Sequence, residues 1–166
     1  RVLLIDLDPQ GNATMGSGVS KDELVESIYD VLVYQESITD IARKNHDTGF
    51  FLLGSNSDLT AAEIELLAME NRESRLKNAL IGLESDYDYV FIDCPPSLNL
   101  LTLNALVAAQ GVIIPMQCEY YALEGLTALM GTVTRVREQL NSSLKIEGIV
   151  RTMYDPRNSL TKDVSA

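Results

Sequence analysis

The sequence predicts an α/β fold with a mostly parallel central sheet and helices on both faces. Apolar runs of strand length recur along the chain and alternate with longer stretches of helical periodicity. Two of these runs, Val2-Leu3-Leu4-Ile5 and Tyr89-Val90-Phe91-Ile92, are apolar throughout and end in aspartate, at Asp6 and Asp93. A strand apolar on both faces belongs in the middle of a parallel sheet, and ligands bind at the carboxyl ends of such strands.

Strands are expected over residues 2–7, 50–54, 89–93, 111–116 and 146–153. Helices are expected over about 21–33, 59–83, 100–108 and 123–140. In the last of these, Leu123, Leu126, Leu129, Met130, Val133, Val136 and Leu140 recur at three- and four-residue steps, an apolar stripe suited to a core. Gly16-Ser17-Gly18 and Asp155-Pro156-Arg157-Asn158 read as loops. No repeat or interdomain linker interrupts the pattern, so residues 1–166 form one domain. Arg1 directly precedes a core strand, and a buried strand needs neighbours on both sides, so a further strand and helix are expected upstream and the domain is read as partial at both ends.

A hydrophobic content of 46% with 22% charged residues is that of a soluble globular protein. The net charge of −11 excludes a generally basic nucleic-acid binder, so any DNA contact must be local or lie elsewhere. Cys94 and Cys118 each end an apolar run and read as buried, reduced thiols rather than a disulfide or zinc framework. No apolar run reaches the roughly 18 residues of a membrane span, and a cytoplasmic location is expected.

The chemistry concentrates at the two strand ends. Asp6 and Asp8 are followed by Pro9-Gln10-Gly11-Asn12, and Asp93 by Cys94-Pro95-Pro96. Carboxylates at two strand tips, with turn-forming residues after them, can converge on one crevice and hold a hard cation such as Mg²⁺. Each aspartate alone could equally end its strand or cap the next helix.

Five ordered stretches, V-L-L-I-D-L-D-P-Q-G-N-A-T, Y-V-F-I-D-C-P-P-S-L, L-T-L-N-A-L, Q-C-E-Y-Y-A-L-E-G-L and T-M-Y-D, resemble the ParA/Soj chromosome and plasmid partitioning ATPases of the deviant Walker superfamily. The resemblance implies an incomplete P-loop NTPase-like fold with ATP and Mg²⁺ as cofactors. It implies that Asp93 holds magnesium through water as the Walker B aspartate, that Asp8 positions the attacking water, that Asp6 supports the magnesium and phosphate-loop network, and that Gly11, Asn12 and Thr14 belong to a switch segment that changes shape when the γ-phosphate leaves. By the same resemblance Thr152, Met153, Tyr154 and Asp155 contact the adenine base, and Glu119-Tyr120-Tyr121 lies near the nucleotide and dimer face. Expected partners are a second copy in an ATP-dependent homodimer, nonspecific DNA bound by the full-length dimer near the nucleoid, and a ParB-like protein that stimulates hydrolysis. A membrane-positioning ATPase of MinD type is the alternative reading, with a membrane not expected as partner. No lysine-bearing glycine-rich phosphate loop occurs in the 166 residues, so the chain by itself is expected to be inactive towards ATP.

Overall fold

The computed structural model describes residues 1–117, 122–154 and 157, the side chains of 122–124 excepted. Cys118, Glu119, Tyr120, Tyr121 and Asp155 lie outside the described residues. The chain divides into two compact units, Arg1–Ala108 and Ala109–Ala166.

In the first unit β1 (Val2–Asp6) lies between β3 (Phe51–Leu53) and β4 (Tyr89–Asp93), parallel to both, and β2 (Arg43–Lys44) adds antiparallel beside β3. The central placement of β1 is as expected from its unbroken apolar run. Leu3, Ile5 and Leu7 are fully buried and form one core with Leu53 and the inward faces of α2 (Ile28–Tyr34), α4 (Leu59–Leu67), α5 (Arg75–Ala79) and α6 (Leu100–Ala108). Replacing Ile5 by valine removes one methylene from this packing. It should cost about 1 kcal/mol, read as a lower urea midpoint at unchanged slope.

Beyond β1 the expectation and the structure part company. β4 has the same apolar pattern, yet Tyr89 is 66% and Phe91 51% exposed. Among the described residues β4 pairs only with β1, so it is a sheet edge, and the sheet face carrying Tyr89 and Phe91 is uncovered there. The two rings stack on each other at 6.4 Å instead.

The long helices read from periodicity are shorter. Over 21–33 the chain forms a single 3₁₀ turn, Lys21–Glu23, and only then α2. Ser27 sets that start: its hydroxyl accepts from the Tyr29 amide at 3.2 Å while the Asp30 carboxylate accepts from the Ser27 amide at 2.8 Å, a reciprocal N-terminal cap. Over 59–83 the chain breaks after α4 at Asn71, whose φ is 50°, and passes through the 3₁₀ turn Arg72–Ser74 into α5. Buried Asn104 of α6 holds the break, donating to the Arg72 carbonyl at 2.8 Å and accepting from the Leu76 amide at 3.2 Å. Two further short helices, α1 (Asn12–Gly16) and α3 (Ile38–Ile41), carry no periodic signal long enough to be read.

The second unit contains β5 (Gly111–Gln117) and β6 (Lys145–Thr152), paired in parallel with an irregularity at Val112/Ile113 and joined through α7 (Ala122–Gln139). Val133 and Val136 of the predicted stripe are buried, Leu126 and Leu129 half-buried, and Met130 and Leu140 exposed. No described helix is long and apolar enough to cross a membrane.

Candidate functional site

The pairing of β1 with β4 decides the geometry of the first unit's carboxyl end. Asp6 and Asp93 are register partners at the tips of these adjacent parallel strands, and the Leu7 amide donates to the Asp93 carbonyl at 2.8 Å, carrying the ladder one residue further. Asp8 follows two residues beyond the Asp6 tip, so three carboxylates share one end of the sheet.

Asp6 is fully buried. One of its oxygens, Oδ2, accepts from both the Thr14 amide and the Thr14 hydroxyl, each at 2.7 Å, and the other accepts from the Asp8 amide at 3.2 Å. A buried carboxylate requires such donors, and two of them come from the first turn of α1. Asp8 closes a turn on itself: its Oδ1 accepts from the Gln10 amide and its carbonyl from the Gly11 amide, both at 2.9 Å. Its other carboxylate oxygen takes no hydrogen bond among the described residues. The Lys21 ammonium donates to the Gln10 carbonyl at 2.8 Å and braces the turn from outside.

Gly11 ends that turn at φ 65°, immediately before α1. A Cβ there would stand 2.8 Å from the Ser55 carbonyl, so both the left-handed conformation and the close approach call for glycine. Asn12, the first residue of α1, is exposed.

Asp93 sits at the exposed tip of β4, and no hydrogen bond reaches its carboxylate among the described residues. Desolvation around the strand tip, and then the charges of Asp6 and Asp8, push its pKa above the ordinary carboxylate value. A divalent cation would relieve this crowding of negative charge. Among the described residues no three acidic, histidine or cysteine groups form a metal cluster. Carboxylate oxygens such as those of Asp93 and Asp8 are hard donors, of the kind a magnesium ion takes alongside water.

Cys94 beside it is half-buried, with desolvation and then the Asp93 charge pushing its thiol up to about 12. It is a poor nucleophile there. The loop that follows is pinned: the Thr102 hydroxyl donates to the Ser97 carbonyl at 2.7 Å, and Asn99 accepts from the Thr102 amide at 3.0 Å, capping α6.

Thr152, Met153 and Tyr154 lie in the second unit at the end of β6. Met153 has φ 51° and is 85% exposed, while Tyr154 lies under the Arg151 guanidinium, 4.7 Å from the ring centre. The fourth adenine candidate, Asp155, is outside the described residues.

One participant escaped the sequence pattern. Thr14, expected within the switch segment, makes the shortest contacts to Asp6, and the amide of Ser55, just past β3 and not singled out from the sequence, donates to the Thr14 hydroxyl at 2.9 Å. The only sequence signal for the latter is the turn-rich stretch Gly54-Ser55-Asn56-Ser57-Asp58 after an apolar run.

The chain is similar to several known proteins. Residues 1–146 match a family model described as an AAA domain. An uncharacterised protein of Pseudomonas putida is 62% identical over the whole chain. The sporulation initiation inhibitor protein Soj of Bacillus subtilis is 49% identical over 160 residues, 96% of this chain. The chain spans 63% of the length of each of these two relatives. A solved structure, cobyrinic acid a,c-diamide synthase of Mycobacterium smegmatis with bound ATP analogue and magnesium, matches with a TM-score of 0.94 at 43% identity, covering 99% of this chain and 67% of that one.

Proposed function

We propose that this chain, which belongs to the ParA/Soj family of partitioning ATPases, supplies the metal- and water-handling part of an ATP-hydrolysing switch. The observation that carries the proposal is the register match of Asp6 with Asp93, which sets Asp8 and Asp93 at one sheet end with carboxylate oxygens that are unengaged among the described residues. Asp93 is the residue that holds magnesium, through water. The ion, when bound, neutralises charge on the phosphate oxygens. Asp8 accepts a hydrogen bond from the attacking water through its free oxygen and orients it, a task of positioning that needs no raised pKa. Asp6 holds the turn carrying Asp8, and Gly11 and Asn12 begin the segment that responds to loss of the γ-phosphate. Thr152, Met153, Tyr154 and Asp155 contact the adenine base.

The phosphate loop belongs to a further segment of the full-length protein. The open edge of β4 and its exposed Tyr89 and Phe91 support that reading, because an apolar parallel strand of this kind takes a partner on each side. In the full-length protein ATP drives homodimerisation, the dimer binds DNA nonspecifically in the cytoplasm, and a ParB-like partner stimulates hydrolysis and release. Relatives named for chromosome partitioning favour DNA over a membrane as the surface on which the switch acts.

The test is magnesium-dependent ATP binding and hydrolysis by the 166-residue chain beside the full-length protein. Turnover is expected in the longer protein alone. A full-length protein that neither binds nor hydrolyses ATP would sink the reading.

A further inference from the structure

We propose that Thr14 is a positioning residue for the hydrolytic step, its hydroxyl latching the Asp8 turn to the tip of β3. The inference rests on the hydrolase reading above and adds a residue to it. The Thr14 hydroxyl donates to Asp6 at 2.7 Å and accepts from the Ser55 amide at 2.9 Å, so one oxygen ties the end of β1 to the end of β3. The side chain has no slack in which to do otherwise. Thr14 is fully buried, and a Cβ on Gly54 would come within 3.3 Å of both its hydroxyl and its methyl group.

The turn meets Ser55 at two points. Gly11 lies against the Ser55 carbonyl while Thr14 takes the Ser55 amide. Between these contacts and Asp6, the backbone of Asp8 is held at both ends: its amide bonds to the Asp6 carboxylate and its carbonyl to the Gly11 amide. The Thr14 amide bonds to the same Asp6 oxygen as its hydroxyl does, but the hydrogen-bonded link from Asp6, and so from the Asp8 backbone, to the tip of β3 runs through the hydroxyl. A small misplacement of a group that orients a reacting water is costly in rate even where binding is unaffected.

The latch requires a group that donates and accepts at once. Serine can do both; valine, of the same shape as threonine, can do neither. In the full-length protein Thr14→Val should lower kcat for magnesium-ATP by at least about tenfold with KM changed less than about threefold, and Thr14→Ser should stay within about threefold of the parent. A folded Thr14→Val protein with parental kcat would overturn the proposal, as would a Thr14→Ser protein as slow as Thr14→Val. Should the valine variant not fold, amide hydrogen exchange in the parent decides. Thr14 and Ser55 amides are expected to exchange through one shared opening, and independent exchange of the two would break the latch. Absence of turnover in the parent itself marks failure of the hydrolase reading, and this proposal fails with it.

Discussion

Replacing Asp8 by alanine in the full-length protein should slow ATP hydrolysis by on the order of a hundred- to a thousandfold, while nucleotide affinity and ATP-dependent dimerisation stay within about threefold of the parent. The split follows from how Asp8 is held. One carboxylate oxygen is spent on the Gln10 amide within its own turn, and the other is unengaged among the described residues. The turn does not depend on that side chain alone, because the Gly11 amide bonds to the Asp8 carbonyl and the Asp8 amide to Asp6. Alanine keeps both backbone contacts and removes the acceptor offered to water together with the side-chain contact to the Gln10 amide. Phosphoryl transfer to water relies on orientation and charge stabilisation more than on covalent help, so loss of the orienting group falls on kcat. Equal turnover in the variant and the parent would remove Asp8 from this role and leave it as a turn aspartate ahead of Pro9.

The strand runs were legible because burial leaves a simple record, and the helices were less so because their ends are decided from a distance. Leu3 and Ile5 are where an unbroken apolar run puts them. The matching run in β4 records the environment a strand is suited to, which differs from the one its described neighbours provide. The break at Asn71 is held by Asn104, a residue 33 positions further on, and local periodicity has no access to that contact. Within the site, the three aspartates could be picked out as strand-end carboxylates and were given separate roles only by the family resemblance, while which of their oxygens are engaged could not be read from the sequence. Asp6 and Asp8 look alike in the sequence. The left-handed turn at Gly11 brings Thr14 back onto one Asp6 oxygen while the Asp8 amide takes the other, so both Asp6 oxygens are engaged and, of the two residues, Asp8 is the one with an oxygen to offer.

Asp93→Ala should separate metal binding from folding by moving them in opposite directions. Magnesium-dependent nucleotide affinity of the full-length protein is expected to fall by about a hundredfold, because the carboxylate at the β4 tip, which takes no hydrogen bond among the described residues, is removed. Stability of the metal-free 166-residue chain should rise at neutral pH. Desolvation and the charges of Asp6 and Asp8 raise the Asp93 pKa in the folded state above its ordinary value of 3.8. A carboxylate raised in this way opposes folding wherever it is ionised, and the opposition fades as pH falls through the raised value and is gone below the unfolded one. The gain in thermal midpoint of the variant over the parent should thus be full at pH 7 and vanish on acidification towards pH 3.8. A variant less stable than the parent at pH 7, or one that keeps its magnesium-dependent affinity, would show that Asp93 serves the strand end and not the metal.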